Sequence, residues 1–225
     1  MFSPKYMVFG AALVSLLLAV MLISTQGAAT PGDPGLRNTD SSYAPIQAGT
    51  GKTAPQSTSA SRKITGSATL DLAALTKANS IDEADNVRWS LVRHSAASAS
   101  VYSSSTGVNW KSLRKLTQSG TFSLPASSSF SFNQTFQEGV GYKLASGVLA
   151  GGQCALATVM RAAAIKAGLP NKASPHRRPI PGFPLSQTVN IWWGTYDLVI
   201  QNPTSQNLTM AWTLTPTSVK IEIYA

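Results

Sequence analysis

"LASGVLAGGQCALATVMRAAAIKAGLP", Leu144 to Pro170, contains the single cysteine of the chain and the pattern from which the fold is read. Ala155, Leu156, Val159, Met160, Ala163, Ala164 and Ala167 recur at helical intervals, while Arg161 and Lys166 fall on the other side. Gly168 stands where a left-handed C-cap is wanted, and Pro170 blocks continuation. The spacing predicts an amphipathic helix opening at Cys154, directly after the pair Gly151 and Gly152.

Downstream, the period changes from helical to two. In "LTMAWTL" Leu208, Met210, Trp212 and Leu214 share a face, and in "SVKIEIY" Val219, Ile221 and Ile223 do the same. "TVNIWWG" and "YDLVIQN" read as two further strands, separated by Gly-Thr, Asn-Pro-Thr and Pro-Thr-Ser turns. Upstream, "SIDEADNVRWSLVRHSA" places Ser80 and Glu83 in capping-box spacing, with Ala84, Val87 and Leu91 following at helical intervals. A short helix is expected around Trp110 to Leu116, and loop or short strand from Gly139 to Gly147. Helices followed by a run of strands imply an α+β domain with a C-terminal antiparallel sheet.

The rest of the chain bounds the setting. Met7 to Ser24 is an uncharged apolar stretch after Lys5, long enough for a membrane-spanning signal anchor at residues 1–25; a cleaved signal, giving a secreted protein, is the alternative. Residues 26–66, rich in Ala, Pro, Gly, Ser and Thr, lack the apolar content to offset chain entropy and read as a disordered tether. Residues 67–225 form the expected domain. The amino terminus and Lys5 lie before the apolar stretch, while Asp33, Arg37 and Asp40 follow it, a balance from which the domain is expected on the extracytoplasmic side. A formal net charge of +9 suits an anionic partner. With only 12% charged residues and no zinc-finger or RNP-type motif, nucleic acid is not expected as a partner. One cysteine excludes an internal disulfide and any multi-cysteine metal site, and no cofactor motif is present.

Two readings of Cys154 remain open. A thiol at a helix N-terminus is favoured as thiolate, and the glycine pair would let a substrate carbonyl reach backbone N–H groups as an oxyanion hole. His176, in "SPHRRPIPGF", is the candidate general base, with Asp197 the acidic candidate to orient it. The other reading makes Cys154 a small apolar packing residue. Binding contacts are expected from Gly151, Gly152, Gln153, Thr158, Arg177, Arg178, Trp192 and Asp197. Trp192 and Trp193 are adjacent in an extended segment, so one should face the core and the other a groove, where an exposed indole beside a basic turn could stack on a sugar ring.

Five separated motifs resemble the VanW-like family in order and spacing: "FSFNQTF" at Phe130, "GYKLASG" at Gly141, "GGQCALATVMRAA" at Gly151, "PHRRPIP" at Pro175 and "TVNIWWGTYDLVIQNPT" at Thr188. The resemblance covers roughly Trp110 to Leu214. It implies an envelope protein of a family named for a vancomycin-resistance gene cluster, with the Cys, His, Asp order of cell-wall cysteine peptidase folds by analogy only. Against the family pattern this chain keeps Cys154, Thr158 and His176. It carries Ser174 for the first histidine, Ala155 and Ala157 for the Gln and Ser after the cysteine, and Ser186 for an aspartate. These losses favour a non-catalytic module, tethered to the membrane and binding cell-wall polymer or another envelope protein. The alternative is a cysteine enzyme acting on peptidoglycan peptides by acyl transfer or hydrolysis.

Overall fold

The computed structural model describes residues 63–95, 98–103, 107–136 and 141–225. The chain is α+β. Four antiparallel strands form the main sheet in the order Ile64–Asp71, Ser218–Tyr224, Leu208–Leu214, Gln118–Leu124. Alternation builds it as the sequence predicts: Met210, Trp212, Leu214, Val219, Ile221 and Ile223 are buried, while Lys220 reaches water and pairs with Glu222. A smaller sheet joins Ser129–Ser131, Leu198–Gln201 and Asn171–Ala173.

The first of these strands corrects the expected boundary. Order was expected from residue 67, yet Ile64, Thr65 and Gly66 already belong to the sheet, pairing with the C-terminal strand. Gly66 is required there. A Cβ on it would stand 2.3 Å from the Ala163 carbonyl oxygen, so only glycine lets this strand lie against the Cys154 helix. The expected membrane helix and most of the tether, residues 1–62, lie outside the described residues. Among the described residues no helix is long and apolar enough to cross a membrane.

The helix read from the opening stretch runs Gln153–Lys166. It ends as expected: Gly168 adopts φ +71°, with Gly168 N–H donating to Ile165 O at 3.0 Å and Leu169 N–H to Ala164 O at 2.9 Å. That pair of bonds is the Schellman arrangement. Its burial is wider than one stripe. Ala157, Thr158 and Ala162 are buried as well, because the helix packs on the sheet, on the Ile81–Val92 helix and on the segment Thr188–Ile191 at once.

The Ile81–Val92 helix starts where its cap predicts, with Ser80 Oγ accepting from Glu83 N–H at 3.1 Å. The Glu83 carboxylate does not return to the cap; it accepts from Asn79 Nδ2 at 2.7 Å and Ser146 Oγ at 2.6 Å. This helix carries a buried polar spine. Asn86 holds the loop before the Cys154 helix through Lys143 O, Lys143 N–H and Gly151 O, each at 2.9 Å. Asp85, fully buried, takes both Arg114 Nε at 2.9 Å and Nη2 at 2.6 Å, with Lys143 Nζ at 3.0 Å. The Phe130, Phe132 and Phe136 rings of "FSFNQTF" stack into an aromatic cluster with Phe122, the closest pair 4.6 Å apart. That motif is core.

Candidate functional site

A cleft of about 520 Å³ opens at the start of the Cys154 helix. It is lined by Ala145 to Leu149 of a hairpin, by Gly151 to Ala155, by Ile191, Trp192 and Trp193, and by His176, Arg178 and Asn190. Val148, Leu149 and Trp192 are exposed, so the rim is apolar.

The geometry under Cys154 follows from how "TVNI" lies. It was expected as a strand in the sheet. Instead Asn190 and Trp192 make single bridges, and the segment runs antiparallel along the first turns of the helix. Val189 N–H donates to Thr158 Oγ1 at 3.0 Å and Ile191 N–H to Cys154 Sγ at 3.4 Å. The match is metrical. Two extended residues advance about 6.6 Å, and four helical residues about 6 Å. Side chains at helix positions i and i+4 can therefore serve alternate backbone N–H groups that no strand reaches. Thr158, expected as a binding contact, donates its own hydroxyl to Cys154 O at 2.7 Å and is 0% exposed, so its hydroxyl is engaged within the fold.

Cys154 is half-buried. Burial pushes its thiol pKa up, the N–H of Ile191 offsets this in part, and the charge of Glu83 adds to the rise. The thiol proton has Asn190 Oδ1 and Ile191 O, each 4.0 Å from the sulfur. At neutral pH this is a thiol, not a thiolate. Among the described residues no hydrogen bond joins it to His176.

His176 lies on the rim of the same cleft. Its Nδ1 is 2.8 Å from the Arg178 carbonyl oxygen and 3.2 Å from the Arg178 backbone nitrogen. Either ring tautomer finds a partner within that turn, and among the described residues no carboxylate selects one. Asp197, the expected orienting acid, does not line the cleft. Its oxygens accept from Ser131 Oγ at 2.6 Å and Asn133 N–H at 2.9 Å, fixing the short Phe132–Thr135 helix. Ser186 and Ser174 line a second, shallower groove of about 890 Å³ with His176, Arg177 and Arg178. The positions where the family pattern has acids and bases therefore do meet in space, but here they hold hydroxyls.

The glycine pair also has a different reason from the one expected. Gly152 adopts φ +104°, and a Cβ there would sit 2.3 Å from Glu83 O. At Gly151 a Cβ would sit 2.6 Å from Ala145 O. Close approach of backbone from two other segments is thus enough to require glycine at both positions. Gln153 likewise turns inward: only 3% exposed, it donates to Ser90 Oγ at 2.7 Å. Ser90 in turn bonds Asn86 O and the Tyr142 hydroxyl. Trp192 stays out at 56% exposure, while Trp193 packs against the core and donates its indole N–H to Phe136 O at 2.8 Å.

The buried polar groups were the residues that sequence reading missed. Asn202, almost fully buried, donates to Leu124 O, Pro125 O and Gln206 O and accepts from Thr204. The available signal was its place in Asn-Pro-Thr, since Asn side chains bond backbone two residues on. Among the described residues no group of three or more His, Cys, Asp and Glu is placed to hold a metal ion.

The fold and cleft define an α+β module whose cysteine is built into a helix-to-strap contact. Residues 120–224 match the family model described as VanW like protein, which supports a VanW-like family member. Neither curated proteins nor solved structures yield a match.

Proposed function

We propose that this chain is a non-catalytic binding module of the cell envelope, held at the membrane by residues 1–25 through a tether that ends before the strand at Ile64, with the domain on the extracytoplasmic side. Its cleft engages cell-wall polymer or another envelope protein. The observation that carries this reading is the Cys154 sulfur. Burial raises its thiol pKa, which is the opposite of what a nucleophile needs, and the Ile191 N–H at 3.4 Å offsets that rise only in part. An apolar rim with Arg178 in the lining suits recognition. Among the described residues the cleft offers no orienting carboxylate for His176.

A second reading, acyl transfer or hydrolysis on peptidoglycan peptides, draws on one fact: Cys154 and His176 line the same cleft. Incubating the full chain with muropeptides separates the two. Sedimentation with isolated cell walls, retained by Cys154→Ala and lost by Val148→Asp, is the expected result. An acyl adduct on Cys154 in the mass spectrum would overturn the non-catalytic reading. Protease added to intact cells should cleave the tether and release the domain; protection until lysis would refute the orientation.

A further inference from the structure

The strip between the two grooves has a design of its own. Trp192 lines the first groove and Tyr196 the second, while His176, Arg178 and Asn190 are common to both. The two grooves therefore share a border. Trp192 and Tyr196 face each other across a tight antiparallel bridge, with Trp192 N–H donating to Tyr196 O at 3.0 Å and Tyr196 N–H to Trp192 O at 2.8 Å. Residues directly opposite in such a pair project to the same side. Both rings are exposed, at 56% and 42%.

The platform is held from behind at three points. The Trp193 indole donates to Phe136 O, Asp197 receives Ser131 Oγ and Asn133 N–H, and Asn133 Nδ2 donates to Tyr196 O at 2.9 Å. The turn that carries the two exposed rings is fixed before any ligand arrives, which lowers the cost of binding. Beside them stand Arg177 and Arg178, both exposed, and among the described residues neither pairs with a carboxylate. Among those residues the one carboxylate on either groove, Glu83, is already engaged by Asn79 and Ser146. Ser174, Ser186 and Asn190 add short polar groups to the groove that Arg177, Arg178 and Tyr196 also line.

We infer that this strip is a subsite for an acidic polysaccharide, with sugar rings stacked on Trp192 and Tyr196 and their carboxylate or phosphate substituents held by Arg177 and Arg178. The inference rests on the binding-module reading and names its ligand class. A sugar presents an apolar C–H face for an aromatic ring and hydroxyls for Ser174, Ser186 and Asn190. Guanidinium groups take planar anions by paired hydrogen bonds. An acidic peptide would satisfy the arginines but has no regular use for two flat rings on one side of a turn, flanked by hydroxyls.

The test uses the full chain in detergent and polygalacturonate as the probe. Its methyl ester, neutral but with the same sugars, and polyglutamate, equally acidic but without sugars, are the controls. The chain should bind polygalacturonate and neither control comparably. Trp192→Ala and Tyr196→Ala should each raise Kd about tenfold or more, as anchor aromatics do. Arg177→Gln with Arg178→Gln should weaken binding and flatten its salt dependence. Circular dichroism of each variant should match the parent, since all four side chains are exposed. Equal binding of polyglutamate, equal binding of the ester, or a Trp192→Ala variant with unchanged Kd each overturns the inference. If isolated cell walls are still bound but polygalacturonate is not, the acidic-glycan subsite falls and the binding module stands. If neither is bound, both fall.

Discussion

Replacing Gly152 tests how the candidate site is built. The residue sits at φ +104°, outside the region a branched side chain adopts, and its missing Cβ leaves room for Glu83 O, which would stand 2.3 Å from it. Gly152→Val therefore carries two costs. Backbone strain at such an angle is about 1–3 kcal/mol, and forcing apart a packed contact adds about 1–3 kcal/mol or more. Because valine is β-branched and Glu83 contributes rigid helix backbone rather than a flexible tip, the sum should lie near the top, about 3–6 kcal/mol. Gly168→Asn is the control. Its φ is +71° with no atom within 4 Å of where a Cβ would stand, and Asn tolerates that conformation at a cost below about 1 kcal/mol. In a domain of this size each kcal/mol lowers Tm by about 2–4 °C. Thermal unfolding of the full chain followed by tryptophan fluorescence should show a drop of at least about 6 °C for Gly152→Val and under about 4 °C for Gly168→Asn. Separating the two helices would also free Cys154, so its alkylation at neutral pH should accelerate only in the Gly152 variant. Equal losses from both substitutions, or no change in Cys154 labelling, would refute the close-approach account.

Four further outcomes are expected. Cys154 should alkylate slowly at pH 7, and its midpoint should lie above that of a free thiol, about 8.5, unmoved by His176→Ala; a midpoint below that value would restore the nucleophile. Because the folded thiol holds its proton beyond the unfolded one, its stability contribution is complete below about pH 8.5 and falls as pH rises through the folded value; urea titrations of the parent and Cys154→Ala across that window should diverge accordingly. Asp85→Ala takes the shared carboxylate from Arg114 and from the buried Arg88 and should cost about 3–5 kcal/mol by chemical denaturation, whereas a loss under about 1 kcal/mol would mean the cluster is solvated. Asn202→Ala leaves three carbonyls without their shared donor and should lower stability by about 1–3 kcal/mol, read from the same denaturation curves.

The amino-acid sequence by itself determined what burial periodicity and local backbone chemistry encode. Leu208–Leu214 and Ser218–Tyr224 are strands because each turns alternate apolar side chains inward; the helix at Ile81 starts at Ser80 because a hydroxyl is there to cap it. The stop at Gly168 is equally local. Period and caps depend on neighbours a few residues away, so they can be read without the fold. Tertiary structure alone decided the rest. Ile64–Gly66 has a tether-like composition but becomes a strand because the C-terminal strand and the Cys154 helix both need a partner there. "TVNI" has a strand-like pattern but finds its hydrogen bonds on Thr158 and Cys154, across 31 and 37 residues. The role of Cys154 belongs to this second kind. Whether a sulfur is a nucleophile depends on what buries it and which groups reach it, and a contact between distant segments leaves no trace in the spacing of either one.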